Sequence, residues 1–249
     1  MPLPVNCCRF QNTTASEPVM NNFPFQIVGF DLDGTLLDTH ADLGAALNHA
    51  LALAGRPQVP VSQVSDLIGG GAKMMLDRAL AVTGGSEGVD LHALHRELLR
   101  YYEANIAVHT RLFPGGEEML DSLDSHGVRL ALVTNKLESL ARSLLEELGL
   151  TSRFATIIGG DTLGPGRSKP APDLLHEMMQ RLAGGSAEAL RPAYVGDTTY
   201  DTRAARAAGM PCVACSFGFN DLPVHELGAD AVIDHFSELV PALERLGRP

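Results

Sequence analysis

The sequence predicts an α/β fold: a parallel sheet covered by helices on both faces, with a helical unit inserted after the first strand. Three observations predict it. From residue 128 onward, short apolar runs rich in β-branched residues alternate with segments of helical period. Those runs are continuously apolar, as strands buried on both faces must be. Residues 40–112 break the alternation, with three helical patterns and no β-rich run among them.

Taken in order, residues 1–22 are polar, aperiodic and proline-containing, and read as a disordered extension with no signal-peptide core. QIVGF opens the first strand and ends abruptly in Asp31-Leu32-Asp33-Gly34-Thr35. ADLGAALNHALALAG, GAKMMLDRALAVTGG and VDLHALHRELLRYYEANIAVH are the inserted helices, with TLLDTH and RLFPGG as hinges on either side. Phe113-Pro114-Gly115 is expected to stop one helix and start the next. VRLALVTN is a strand, and LESLARSLLEELGL a helix stopped at Gly149. ATIIGGD is a strand, and APDLLHEMMQRL a helix with Pro172 in its first turn. PAYVGD is a strand, and TRAARAAG a small-residue helix that can approach the sheet closely. PCVACSFG and ADAVIDH are further strands, and FSELVPALERLG closes the chain. The expected division is residues 1–22 as extension, 23–39 and 113–249 as the α/β core, and 40–112 as the helical insert.

The formal net charge of the 249 residues is -11, which disfavours nucleic acid as a partner because no basic face is available to displace counterions. A small anionic substrate is still admitted, since a local cluster of lysine and metal overrides a distant field. No run is long enough to span a membrane. Four cysteines, Cys7, Cys8, Cys212 and Cys215, form no disulfide framework, which fits a reducing cytoplasm. Cys212 and Cys215 make a CxxC, but residues three apart on a strand point to opposite faces and cannot share one metal. Monomer and homodimer are both left open.

Open parallel sheets bind ligands beyond the carboxyl ends of their strands. Here the first strand ends in Asp31 and Asp33, the second in Thr134-Asn135-Lys136, and Lys169 follows the third. The fourth ends in Gly196-Asp197, with Asp201 four residues later. Each has an ordinary explanation as turn, surface charge or helix cap. Their joint placement on one rim does not. Asp31, Asp197 and Asp201 together would repel one another unless an oxygen-seeking cation such as Mg²⁺ joined them. Thr134 and the backbone donors after Asn135 can hold phosphate oxygens, and Lys169 can neutralise substrate and nucleophile. Asp31 can then attack phosphorus in line, while Asp33 donates a proton to the leaving group and later activates water. Gly34 permits the tight turn, and Gly34 and Thr35 are expected against the substrate along with Lys136.

DLDGTLLDT, LVTNK, SKPAPD and VGDTTYD resemble, in order, the four motifs of the haloacid dehalogenase superfamily. The resemblance spans about residues 25–240. It implies a Rossmann-like core, a helical cap domain and Mg²⁺-dependent phosphotransfer. It also implies Asp31 as nucleophile and Asp33 as acid/base, with Asp33 lending the metal its backbone carbonyl. Thr134, Asn135 and Lys169 fall at phosphate-binding positions and Asp197 at a metal-ligand position. Asp201 matches a carboxylate that orients metal waters or Lys169. IGGGAKMMLDRAL, TNK and AAGMPCVACSFGFN are similar to the bacterial phosphoglycolate phosphatase branch, which implies 2-phosphoglycolate as substrate. Sugar-phosphate phosphatases, including those for N-acetylmuramate 6-phosphate, share much of this text, and a phosphosugar mutase uses the same intermediate. A dehalogenase has no alkoxide to protonate and so no use for Asp33. A receiver-type signalling domain has a similar acidic cluster but should be near half this length.

Gly69-Gly70-Gly71 lacks the strand and spacing of a dinucleotide fingerprint. It reads as a loop that closes over the substrate or as a plain linker. Lys73 beyond it is a candidate for a substrate carboxylate, with Arg56, Arg78, Arg96, Arg100 and Arg111 as rivals. His92 and His95 are expected on the surface.

Overall fold

The computed structural model describes residues 23–183 and 190–248. The expected extension, with Cys7 and Cys8, lies outside them. Among the described residues the central sheet has six strands: β1 (Ile27–Phe30), β4 (Arg129–Val133), β5 (Thr156–Ile158), β6 (Pro192–Gly196), β7 (Cys212–Cys215) and β8 (Ala231–Ile233). Their order is β5-β4-β1-β6-β7-β8, and every pairing is parallel. All six carboxyl ends therefore meet one edge, with β1 in the middle.

Alternation along each strand splits the core into two layers. Val28, Phe30, Leu130, Leu132, Ala193 and Val195 join one apolar cluster, with Leu120 of α4 (Gly116–Ser125), Leu144 of α5 (Glu138–Glu147) and Leu243 of α8 (Leu239–Leu246). Ile27, Ala131, Val133 and Tyr194 face the other way, onto α6 (Asp173–Ala183) and α7 (Thr199–Ala207). Cys212 lies in this second layer and Cys215 in the first, so the CxxC straddles the sheet as strand geometry requires. At Gly29 the second layer presses close on β1: an added Cβ would stand 2.7 Å from Met178 Sδ and 2.9 Å from the Tyr194 ring.

Between the first and second core strands, α1 (His40–Leu53), α2 (Ala72–Val82) and α3 (Leu91–Ala104) pack around a separate apolar cluster that includes Leu47, Leu51, Leu76, Leu80, Leu98 and Tyr102. The segments expected as bare hinges pair instead: β2 (Leu37–Asp38) and β3 (Arg111–Leu112) form an antiparallel ribbon. The third inserted helix accordingly stops at Ala104 rather than running on to the Phe113-Pro114-Gly115 turn, which serves only to start α4. Asp42, buried in the first turn of α1, ties the return crossing down. Its carboxylate accepts from the amides of His109 and Thr110 at 2.9 Å and from the Thr110 hydroxyl at 2.8 Å. Two smaller differences concern helix starts. The helix read as TRAARAAG begins three residues earlier, at Thr199, and Pro172 immediately precedes α6. No helix among the described residues is long and apolar enough to cross a membrane.

Candidate active site

The loop after β1 begins with the Asp31 amide donating to the Val195 carbonyl at 2.9 Å, which fastens it to β6. The amides of Leu36 and Leu37 turn back onto the Leu32 carbonyl, and Gly34 takes φ +86°, a conformation costly for a residue with a Cβ. Close approach requires glycine there too, since a Cβ would stand 2.3 Å from Asp197 Oδ2. Asp31, Asp197 and Asp201 are all buried, and their carboxylate oxygens lie within 4.8 Å of one another.

Each carboxylate has a defined setting. Asp197 accepts from the Thr35 hydroxyl at 2.6 Å and from the Phe219 amide at 2.7 Å. Asp201 caps α7: its Oδ2 accepts from the Thr198 amide at 3.0 Å and hydroxyl at 2.7 Å. Its Oδ1 meets Lys169 Nζ at 2.6 Å, so the ordinary role of helix cap and the ion-pair role are filled by one side chain. Lys169 Nζ also stands 2.9 Å from Asp31 Oδ1 and donates to the Tyr194 hydroxyl at 2.9 Å, which in turn donates to the Val133 carbonyl at 2.6 Å. The contact with Asp31 is an ion pair by distance without hydrogen-bond alignment, which leaves Asp31 Oδ1 buried and without a hydrogen-bond partner. Asn135 donates to the Lys169 carbonyl at 2.9 Å.

Electrostatics follow from this crowding. Burial is the largest influence on Asp31 and lifts its carboxyl from 3.8 to about 6; Lys169 opposes the rise, and Asp201 and Asp33 add to it. Asp197 is likewise raised well above the usual range by burial, then by Asp201 and Asp31, with the Thr35 and Phe219 donors opposing. Lys169 stays cationic, because Asp201 and Asp31 outweigh its desolvation.

Above the rim lies a cavity of about 420 Å³ between the sheet edge and the helical insert. Asp31, Asp33, Thr134, Asn135, Lys136 and Lys169 line its floor. Its opposite wall includes Gly69–Gly71, Lys73, Met75, His95, Leu98 and Tyr102. The three-glycine loop thus faces the ligand space and is not a remote linker. Of the rival cations, Arg78 is committed to the carbonyls of Leu67, Ile68 and Gly69 at 3.1 Å each, and Arg100 to Glu97 at 2.6 Å. Among the described residues of the insert, Lys73 is the lysine or arginine that lines the cavity.

Several expectations are corrected. Thr35 and Gly34 do not line the cavity: the Thr35 hydroxyl is spent on Asp197, and Gly34 packs against that residue and Phe219. Lys136 lines the cavity but is held by Asp33, with Nζ 2.9 Å from both carboxylate oxygens. His95 is half-buried in the cavity wall rather than on the surface, and desolvation followed by nearby Lys73 holds its imidazole below the ordinary value. Sequence reasoning missed Tyr194, Tyr102, Tyr200 and Phe219, which support or line the site. Tyr200 had a signal, lying between Asp197 and Asp201; the other three read simply as core.

The family model described as haloacid dehalogenase-like hydrolase matches residues 28–215. A phosphoglycolate phosphatase of Agrobacterium fabrum is 42% identical over 216 residues, covering 86% of this chain and 90% of the relative. Another, of Mesorhizobium japonicum, is 42% identical over 224 residues, covering 89% and 96%. Among solved structures, a predicted phosphoglycolate phosphatase of Haemophilus somnus superposes with a TM-score of 0.79 at 29% identity, covering 88% of this chain and 97% of that one.

Proposed function

Since the chain belongs to the haloacid dehalogenase-like hydrolases, we propose that it hydrolyses a small phosphomonoester, with 2-phosphoglycolate the first candidate, through an aspartyl-phosphate on Asp31. The observation that carries this reading is the Asp31 carboxylate at the cavity floor, with Lys169 Nζ 2.9 Å away and Asp197 and Asp201 beside it. The names of the relatives support the choice of substrate.

The donor set fits Mg²⁺. Asp31, Asp33, Asp197 and Asp201, if ionised, outnumber Lys136 and Lys169 by two negative charges, which a divalent cation cancels. Asp31 and Asp197, with the Asp33 carbonyl, would hold it, while Asp201 supports Lys169. When bound, the cation would supply charge neutralisation for the phosphoryl oxygens and for the buried carboxylate of Asp31.

The remaining steps belong to the protein. Thr134 and the amides after it cradle the phosphoryl oxygens, and Lys169 offsets their charge. The Asp31 oxygen attacks phosphorus, and Asp33 delivers a proton to the departing alkoxide. Asp33 then takes a proton from water as it attacks the aspartyl-phosphate, returning Asp31 and releasing phosphate. Lys73 on the facing wall meets the substrate's own carboxylate.

A steady-state screen of small phosphate esters with Mg²⁺, and again with EDTA, tests the reading. The expected result is catalytic phosphate release that EDTA stops, with 2-phosphoglycolate giving the highest kcat/KM. Turnover of no ester, or a single phosphoryl group retained per chain, would overturn it.

A further inference from the structure

The reading above gives Asp33 a demanding task, since its carboxyl must face the leaving group. A side chain two bonds long in a glycine-containing loop needs something to hold it there. Two residues on different parts of the fold do so. Lys136, on the loop after β4, places Nζ 2.9 Å from both Asp33 oxygens, and its side chain is only 6% exposed. The same ammonium sits over the ring of Tyr102, 4.6 Å from the centroid. Tyr102 belongs to α3 of the helical insert and is buried. The ring face attracts a cation most strongly where water is excluded.

We infer that Lys136 and Tyr102 are positioning residues: Tyr102 seats Lys136, and Lys136 orients Asp33 for proton transfer to the leaving group. This rests on the phosphatase reading. The chain of contacts runs from the insert to the proton donor, so the packing of α3 sets the aim of Asp33. Lys169 already occupies the place beside Asp31 where a phosphate-neutralising lysine belongs, and Lys136 points elsewhere. Holding a catalytic group in its productive geometry is worth orders of magnitude in rate.

The test uses kcat/KM, which reports events up to leaving-group departure. Lys136→Met is compared on 2-phosphoglycolate, whose alkoxide needs a proton, and on p-nitrophenyl phosphate, whose phenolate needs little help. The expected result is a loss of about 10²-fold on the first and no more than about threefold on the second. Tyr102→Leu should show the same selectivity with a smaller loss, and Tyr102→Phe, which keeps the ring, should restore it. Equal losses on both substrates, with weaker inhibition by inorganic phosphate, would make Lys136 a phosphate ligand and overturn the inference. So would Tyr102→Phe behaving like Tyr102→Leu. Thermal melting of each variant separates these outcomes from misfolding; if Lys136→Met melts early, the Tyr102 pair still decides. Failure of the wild-type protein to hydrolyse either ester would instead sink the phosphatase reading.

Discussion

The two walls of the cavity are built on opposite principles. On the floor, Lys169 and Asn135, with Asp197 and Asp201 buried behind them, are each wired to named neighbours, most of them at 2.6–2.9 Å. On the facing wall, Met75, Leu98 and Leu99 are apolar, three glycines with positive φ form the loop, and Lys73 makes no ion pair among the described residues. A preorganised floor suits a reaction whose charge develops at fixed points. A largely apolar wall bearing Lys73 suits recognition of a small substrate. On the proposed function, the difference assigns most of the chemistry to the floor and most of the selectivity to the facing wall, with Tyr102 and Lys136 as the link between them.

Mutations can break that division. The largest expected effect is Asp31→Asn, which removes the proposed nucleophile and should lower kcat on the order of 10⁴-fold or more on every ester; a loss of a few-fold in a phosphate-release assay would remove the assignment. Asp33→Asn should follow, at about 10²- to 10⁴-fold in kcat/KM on 2-phosphoglycolate and much less on p-nitrophenyl phosphate. Equal losses would deny it a proton-donor role. Lys73→Met belongs to the other wall. It should raise KM for 2-phosphoglycolate about 10- to 100-fold, the worth of a charge-assisted contact, with kcat nearly unchanged and little effect on ethyl phosphate. A fall in kcat on both esters would place Lys73 with the floor and erase the contrast.

Metal sharpens the comparison through stability. Without it, the Asp31 carboxyl favours the fold while protonated: that contribution is complete below the ordinary 3.8 and is lost as pH rises through about 6. The raised carboxyl of Asp197 acts in the same direction. Mg²⁺ requires the ionised forms, so its effect has the opposite sign. At a hundredfold excess over Kd it should stabilise by about 2.7 kcal/mol, a rise in Tm of roughly 5–10 °C, seen at pH 7.5 and fading below about pH 6. A shift of equal size at pH 5, read by calorimetry, would show that these carboxylates do not hold the ion. The smallest effect is expected below the rim, where burial keeps the Cys212 thiol well above its usual range and so unreactive. Cys212→Ala should cost about 1–2 kcal/mol of stability and leave turnover intact; loss of activity on mild oxidation of the wild type at Cys212 would contradict this.

Much of the floor was legible in the sequence, because strand ends in a parallel sheet converge by topology and Asp31, Thr134 and Asp197 each follow an apolar run, while Lys169 comes at the end of the loop after β5. The succession of strands along the chain and the opposite faces of Cys212 and Cys215 followed from apolar runs and period two, whereas the order of strands across the sheet did not. What escaped reading depends on contacts between distant segments. The β2–β3 ribbon is two residues deep on each side, too short to carry a period. Lys136 could be placed on the rim but not aimed, since its partner Asp33 lies 103 residues away. Tyr102 and Leu98 share one helical face, and nothing in that face distinguishes the ring beneath an ammonium from ordinary packing. Thr35 was expected against the substrate, whereas its hydroxyl donates to Asp197, which comes from another strand end.

Gly29 has no polar side chain and lies beneath the rim, inside a strand. Yet a Cβ there would press on Met178 and on the phenol ring that carries Lys169's third partner. A methyl group there must shift Met178 or the Tyr194 ring, and a shift of that ring would reach the Lys169 ammonium through the Tyr194 hydroxyl. Anyone grafting these four loops onto another sheet would have to copy that empty space as faithfully as the charges above it.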